Sequence, residues 1–161
     1  MTEMNLSLYT VGTLTGEEAR EAVAWRYGGE YAVYNFPSWD ECAARGWSIP
    51  DAAKRENAYF SVRYAGELLG FFHIMDRPGH VELGVGMKPE LCGQGHGCML
   101  MALALAKILE TRGHTAVQLS VRTFNARAVR CYERAGFTIT DTRHEALGTA
   151  PGEMYIMQAA V

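Results

Sequence analysis

The sequence has no excess of positive charge: 15 Lys and Arg stand against 18 Asp and Glu, for a formal net charge of −3. Binders of nucleic acid and of membrane surfaces concentrate a basic face, and here the basic residues are scattered, so neither is an expected partner. Cysteine is scarce, at four. Cys42, Cys92, Cys98 and Cys131 form no C-x-x-C pair, and no histidine stands at zinc-finger spacing. No metal site is therefore expected, and the thiols read as free in a reducing compartment. No run of about 18 apolar residues occurs, and residues 1–5 lack a charged segment leading into an apolar one, so the expected location is cytoplasmic. Repeats and low-complexity tracts are absent too. What remains is an ordinary globular balance, 48% apolar and 20% charged over 161 residues, which suits one domain spanning 1–161.

Residues 6–11 alternate loosely and suit a first strand, and Thr15 followed by Glu17 and Glu18 marks the start of a helix to about residue 25. Residues 26–57 are rich in aromatics and broken by glycine and proline, which reads as a short helix among irregular loops. Residues 58–64 and 68–75 form a hairpin through Ala65-Gly66-Glu67, and 80–87 adds a third strand. A helix over about 95–111 stops at Arg112-Gly113, a strand follows at 115–122, and a second helix over 125–135 is closed by Gly136. Strands at 137–143 and 153–159 then flank a Gly/Pro loop. This order predicts an α+β domain in which 81–87 and 115–122 are parallel neighbours across a helical crossover.

Between those parallel strands, on the threshold of the helix, lie Gly93, Gly95 and Gly97. Such a loop turns backbone N–H groups toward an anion, because the first helical amides lack internal partners and carry the positive end of the dipole. It sits at the carboxyl end of a strand, where open α/β sheets bind ligands. Two familiar phosphate patterns do not match. A P-loop needs Lys followed by Ser or Thr, and a dinucleotide fingerprint needs G-x-G-x-x-G, whereas this loop reads G-x-G-x-G.

About thirty residues on comes Asn125-Ala126-Arg127-Ala128-Val129-Arg130-Cys131-Tyr132-Glu133-Arg134-Ala135-Gly136-Phe137. Together with the loop, this resembles the GNAT superfamily of acetyl-CoA-dependent N-acetyltransferases. Its signature is a strand, an [RQ]-x-x-G-x-[GA] loop, a helix, a strand, and an Asn-containing helix ending in Tyr and Gly-Phe. The resemblance implies a mixed, mostly antiparallel central sheet with a splayed parallel pair and flanking helices. It implies transfer of an acetyl group to a primary amine of a small molecule or peptide, with acetyl-CoA as cosubstrate and no metal. A module that binds acyl-CoA without turnover is the alternative. Exposed strand edges and aromatics are compatible with a homodimer.

Carried over residue by residue, the resemblance gives Gly95 and Gly97 as the loop glycines, with Cys92 where the family usually has Arg or Gln. The amides of 92–97 (Cys92, Gly93, Gln94, Gly95, His96, Gly97) and Cys98 would hold the pyrophosphate. Val85 and Met87 on one strand and Ser120 on the other would flank the pantetheine arm. Asn125, with Ala128 nearby, would cap the second helix and touch that arm, and Arg134 would reach the 3′-phosphate. Tyr132 matches the general acid that protonates the departing thiolate, and Glu82 the base, with His73, Asp76 and His80 as alternatives. Trp25, Tyr31, Tyr34 and Trp39 are candidates for the acceptor pocket. A thiol so near a helix N-terminus also makes Cys92 a candidate for a lowered pKa.

Overall fold

The computed structural model describes residues 6–147 and 150–161. Seven strands, β1 (Tyr9–Thr13), β2 (Tyr59–Tyr64), β3 (Glu67–Arg77), β4 (His80–Met87), β5 (Ala116–Arg122), β6 (Thr138–Leu147) and β7 (Ala150–Ala160), form one sheet in the order β1-β2-β3-β4-β5-β7-β6. Every neighbouring pair is antiparallel except β4 and β5. Helices α1 (Gly16–Ala24), α2 (Trp39–Ala44), α3 (Ala52–Arg55), α4 (His96–Arg112) and α5 (Ala126–Arg134) flank it. The expected mixed sheet with a single parallel pair is the one observed.

Local chemistry sets the elements. Thr15 and Glu18 form a reciprocal capping box at the start of α1, each backbone N–H donating to the other's side chain at 3.1 Å. The hairpin between β2 and β3 turns through Ala65 (φ 52°) and Gly66 (φ 84°), two left-handed residues of the kind a twisted hairpin needs. Helix α4 buries Leu100, Met101, Ala104 and Ile108, a 3.6-residue stripe that seats it on the sheet.

The two sheet faces hold separate cores, because side chains alternate along each strand. Phe72, Ile74, Val81 and Leu83 join the α4 residues and Val129 of α5 on one face. On the other, Tyr59 and Phe71 pack with Leu14, Trp25, Cys42 and Ile49, so the aromatic stretch and α1 cover that side.

Two boundaries differ from expectation. Residues Leu6–Leu8 form a 3-10 turn and the first strand begins at Tyr9, since its pairing is set by β2, Tyr9 opposite Tyr64 through Thr13 opposite Phe60. The last two strands are longer than predicted, β7 pairing with β6 through Pro151 and Gly152. Proline is tolerated there because β5 ends at Arg122 opposite Met154, leaving Pro151 without a neighbour on that side. A side chain at Gly152 would collide with the Arg122 guanidinium.

One irregularity positions the site. Strands β4 and β5 pair at Val81 with Val117 and Glu82 with Gln118, and at no later residue. β4 stays bonded to β3 as far as Met87, and β5 to β7 as far as Arg122. The facing edges of 83–87 and 119–122 therefore diverge and present unpaired backbone groups to the gap.

Candidate active site

A cavity of about 1040 Å³ runs from this gap to the start of α4 on one side and into the aromatic segment on the other. At the α4 end, Gly93 (φ 77°) and Gly95 (φ 87°) are left-handed, and Gly95 caps α4 without any side-chain hydrogen bond. The first amides of α4 are thus left as donors with the positive dipole end behind them. A Cβ at Gly93 would stand 2.9 Å from Nη1 of Arg127, whose guanidinium lies over the loop. Backbone donors, a helix start and an arginine converge here, a donor set that fits a phosphate-bearing group such as CoA.

Thirteen of the fifteen nominated catalytic and cofactor positions line this cavity: Glu82, Val85, Met87, Cys92, Gly93, Gly95, Gly97, Cys98, Ser120, Asn125, Ala128, Tyr132 and Arg134. Gln94 and His96 do not. The side-chain Nε2 of Gln94 donates back to the Glu90 carbonyl at 2.9 Å in an exposed position. The His96 ring turns into the core, with Nδ1 2.7 Å from the Tyr9 hydroxyl and Tyr64 packed against it at 4.8 Å. Any contact these two make with a ligand in the cradle falls to their backbone.

The thiol at position 92 departs from expectation in its chemistry. Cys92 precedes the helix, at the end of a 3-10 turn (Pro89–Leu91), and burial pushes its pKa up although Arg127 pulls the other way. It is a protonated thiol, 3.6 Å from the Lys88 carbonyl. Cys98 of α4 and Cys131 of α5 face each other as free thiols with sulfurs 3.1 Å apart, and burial together with Cys98 pushes Cys131 up to about 12.

Asn125 does two things. Its Oδ1 accepts from the Ala128 amide at 3.3 Å, capping α5, and its Nδ2 donates to the Tyr34 hydroxyl at 3.2 Å. Phe124 meets Tyr31 and Tyr34 at 5.7 and 6.4 Å, so the 3-10 turn Gly29–Tyr34 is fastened to the loop before α5. The opposite end of the same segment is tied to β4, because the Tyr27 hydroxyl donates to the Met87 carbonyl. These two attachments roof the gap with aromatic residues. Tyr132 lies beneath, and burial, then the neighbouring Tyr34 and Cys131, raise its pKa, which keeps the phenol proton in place.

At the far end of β4, Oε2 of Glu82 takes both Nη2 (2.9 Å) and Nε (3.0 Å) of Arg77. Beside it, His73 stacks on Tyr59 with ring centroids 3.8 Å apart and planes 12° from parallel. Burial, and then Arg77, lower the His73 pKa to about 4, so the ring is neutral. Of the aromatic candidates Trp25, Tyr31 and Tyr34 line the cavity, whereas Trp39 sits under the Arg20 guanidinium at 4.3 Å, outside it. Sequence reasoning passed over Arg127 and Tyr27. The spacing of Arg127, Arg130 and Arg134 along one helix was a signal for the first, and nothing local marked the second.

The architecture is that of N-acetyltransferases. The chain superposes on spermidine N-acetyltransferase of Vibrio cholerae, solved in complex with CoA and spermine, with a TM-score of 0.76 over 96% of each chain at 21% identity. The ribosomal-protein-S18-alanine N-acetyltransferase of Escherichia coli matches with a TM-score of 0.69 over 95% of this chain and 94% of that one, also at 21% identity. At such identity the likeness speaks for the fold. Residues 17–137 match the model of the acetyltransferase (GNAT) family, and the chain belongs to that family. Among curated proteins, mycothiol acetyltransferases of Streptomyces bingchenggensis (30% identity over 128 residues) and Thermobispora bispora (31% over 139 residues) each align with 77% of this chain. The alignments cover 39% and 45% of those proteins, so the chain spans less than half their length. Among the described residues no helix is long and apolar enough to cross a membrane, and no group of His, Cys, Asp and Glu is placed to hold a metal ion.

Proposed function

We propose that the protein is an N-acetyltransferase that moves the acetyl group of acetyl-CoA to a primary amine of a small molecule or peptide. The observation that carries this reading is the continuity of one cavity from the anion cradle, through the open β4–β5 gap, to Tyr132 and Glu82. The amides at the start of α4 and Arg127 would hold the pyrophosphate, with Arg134 offering a second cation to a terminal phosphate. Backbone groups around Val85, Met87 and Ser120 would pair with the pantetheine arm as a strand does. Acetyl-CoA supplies the activated thioester.

In this reading the neutral amine nitrogen attacks the thioester carbonyl carbon, backbone N–H groups of the splayed edge stabilise the developing oxyanion, and the carbon–sulfur bond breaks. Tyr132 gives its proton to the departing sulfur and is reprotonated, through solvent, by the proton that the nitrogen sheds as the amide forms. Glu82, directly or through water, takes the proton lost by the ammonium; its Oε1 makes none of the Arg77 contacts given above. The test is thiol release from acetyl-CoA against a panel of amines, peptides and aminoglycosides, run beside direct titration with CoA. Acceptor-dependent release is expected. Tight CoA binding with no acceptor-dependent release across the panel would replace the enzyme by a binding module.

A further inference from the structure

On the cavity face of β3 and β4, Phe71 stands opposite Gly86, His73 opposite Gly84 and Met75 opposite Glu82. Glu82 lies five residues before Met87, about 17 Å along the strand from the cradle end. This far half belongs to the acceptor, and it is built from rings. Trp25 stacks on Phe71 (6.2 Å), Phe71 touches Phe36 (6.4 Å) and Tyr59 (6.2 Å), Phe36 meets Trp47 (5.9 Å), and Tyr59 carries His73. Glu82 is the one carboxylate among the described residues lining the cavity, and it is already shared with Arg77. Arg26, bound to the Val23 and Trp25 carbonyls, adds a positive charge to the same lining.

Gly84 opens space in this wall. Its backbone is not left-handed, and a Cβ there would meet His73 Cβ at 3.7 Å and Met75 Cε at 3.8 Å, ordinary contacts. Neither conformation nor crowding demands glycine at this position, so its effect is the notch left between His73, Met75 and Glu82.

We infer that the acceptor is an arylalkyl primary amine carrying a single positive charge, its ring lying along the aromatic wall over Gly84 and its amine at Glu82. This rests on the acetyl-transfer reading above. A polyamine would bring two or more further ammonium groups into a lining that offers no second carboxylate among the described residues and already holds Arg26. A ring between Tyr59, Phe71 and Met75 buries flat apolar surface at little conformational cost.

The experiment compares 2-phenylethylamine and tryptamine with spermidine and spermine. It uses kcat/KM for acetyl transfer and, independently of turnover, quenching of tryptophan fluorescence by each amine with CoA present; Trp25 and Trp47 lie in the wall. The arylalkylamines are expected to be used at least tenfold better and to quench saturably. Gly84→Val, which fills the notch with a residue strands favour, is expected to raise KM for them at least tenfold. Equal or better use of the polyamines, no saturable arylalkylamine quenching, or an unchanged KM in Gly84→Val would each overturn the inference. Absence of CoA binding in the same titrations would instead sink the acetyl-transfer reading, so the two failures are distinguishable.

Discussion

Substituting His73 by phenylalanine tests whether the aromatic wall excludes charge as its packing implies. The imidazole lies against Tyr59 at 3.8 Å with Arg77 nearby, and its pKa falls from 6.5 to about 4. As pH drops, the unfolded chain takes up the proton first, near 6.5, while the folded chain resists until about 4. The stability tied to the neutral ring is therefore complete above about 6.5 and is lost as pH falls through this window. Linkage between those two values removes about 2 kcal/mol on going from pH 7 to pH 5. For a chain of this length that corresponds to roughly 4–8 °C in Tm. Phenylalanine keeps the stack on Tyr59 and cannot titrate. Thermal unfolding of both proteins by calorimetry, in matched buffers at pH 7 and pH 5, isolates the effect as a difference of differences. Glu18 is common to both proteins and cancels: burial raises its pKa, but the Arg63 and Thr15 hydrogen bonds outweigh burial and leave it lowered. The wild type should lose about 2 kcal/mol more than His73→Phe between the two pH values. Parallel losses in the two proteins would mean that the folded cavity accepts an imidazolium, and the wall would not be the charge-excluding surface argued for it.

Tyr132→Phe removes the proton held for the leaving thiolate, so kcat for acetyl transfer should fall about 10²-fold or less with CoA affinity nearly unchanged; pre-steady-state thiol release checks it, and an unaltered chemical step would take Tyr132 out of the acid role. Arg127→Ala deletes the guanidinium over Gly93, and calorimetric titration should give a CoA Kd weaker by roughly tenfold or more, as for one charge-assisted hydrogen bond. Asn125→Ala loses the α5 cap, about 1 kcal/mol in thermal unfolding, and also removes one of the bonds that hold the Tyr34 hydroxyl. Its KM for the amine should therefore rise, which a cap alone would not produce.

The sheet, the cradle and α5 were legible because their determinants are local. Alternation marked β4, the left-handed glycines marked the turn into α4, and Asn125 together with Gly136 bracketed α5. What stayed hidden depends on partners distant in sequence. Tyr27 reaches the Met87 carbonyl sixty residues on, and Asn125 bonds a tyrosine ninety-one residues before it. His96 read as part of the loop, but as the first residue of α4 its ring falls on the side of Tyr9 and Tyr64, a neighbour relation created by the sheet order. Cys92 failed the expectation of a lowered pKa for an energetic reason: desolvation outweighs the pull of Arg127, and the thiol precedes the helix rather than starting it.

Strand β4 shows how one sequence pattern carries two meanings. Val81, Leu83, Val85 and Met87 alternate with Glu82, Gly84 and Gly86, so the first set packs on the α4 side of the sheet, Val85 and Met87 reaching the cavity where β4 splays, while Glu82 and the two glycines lie on the other face. The two glycines are not equivalent. At Gly86 the Phe71 ring occupies the place of a side chain, its Cζ only 2.8 Å from where a Cβ would stand, so glycine there is what lets Phe71 close the aromatic wall. At Gly84 a Cβ would meet ordinary contacts only, and the wall is left with a notch beside Glu82, the one carboxylate among the described residues of the lining. A strand needing glycine solely for packing would carry it at 86 alone. For the proposed acceptor the second glycine is the one that gives room, and the flat rings around it suit a flat ligand.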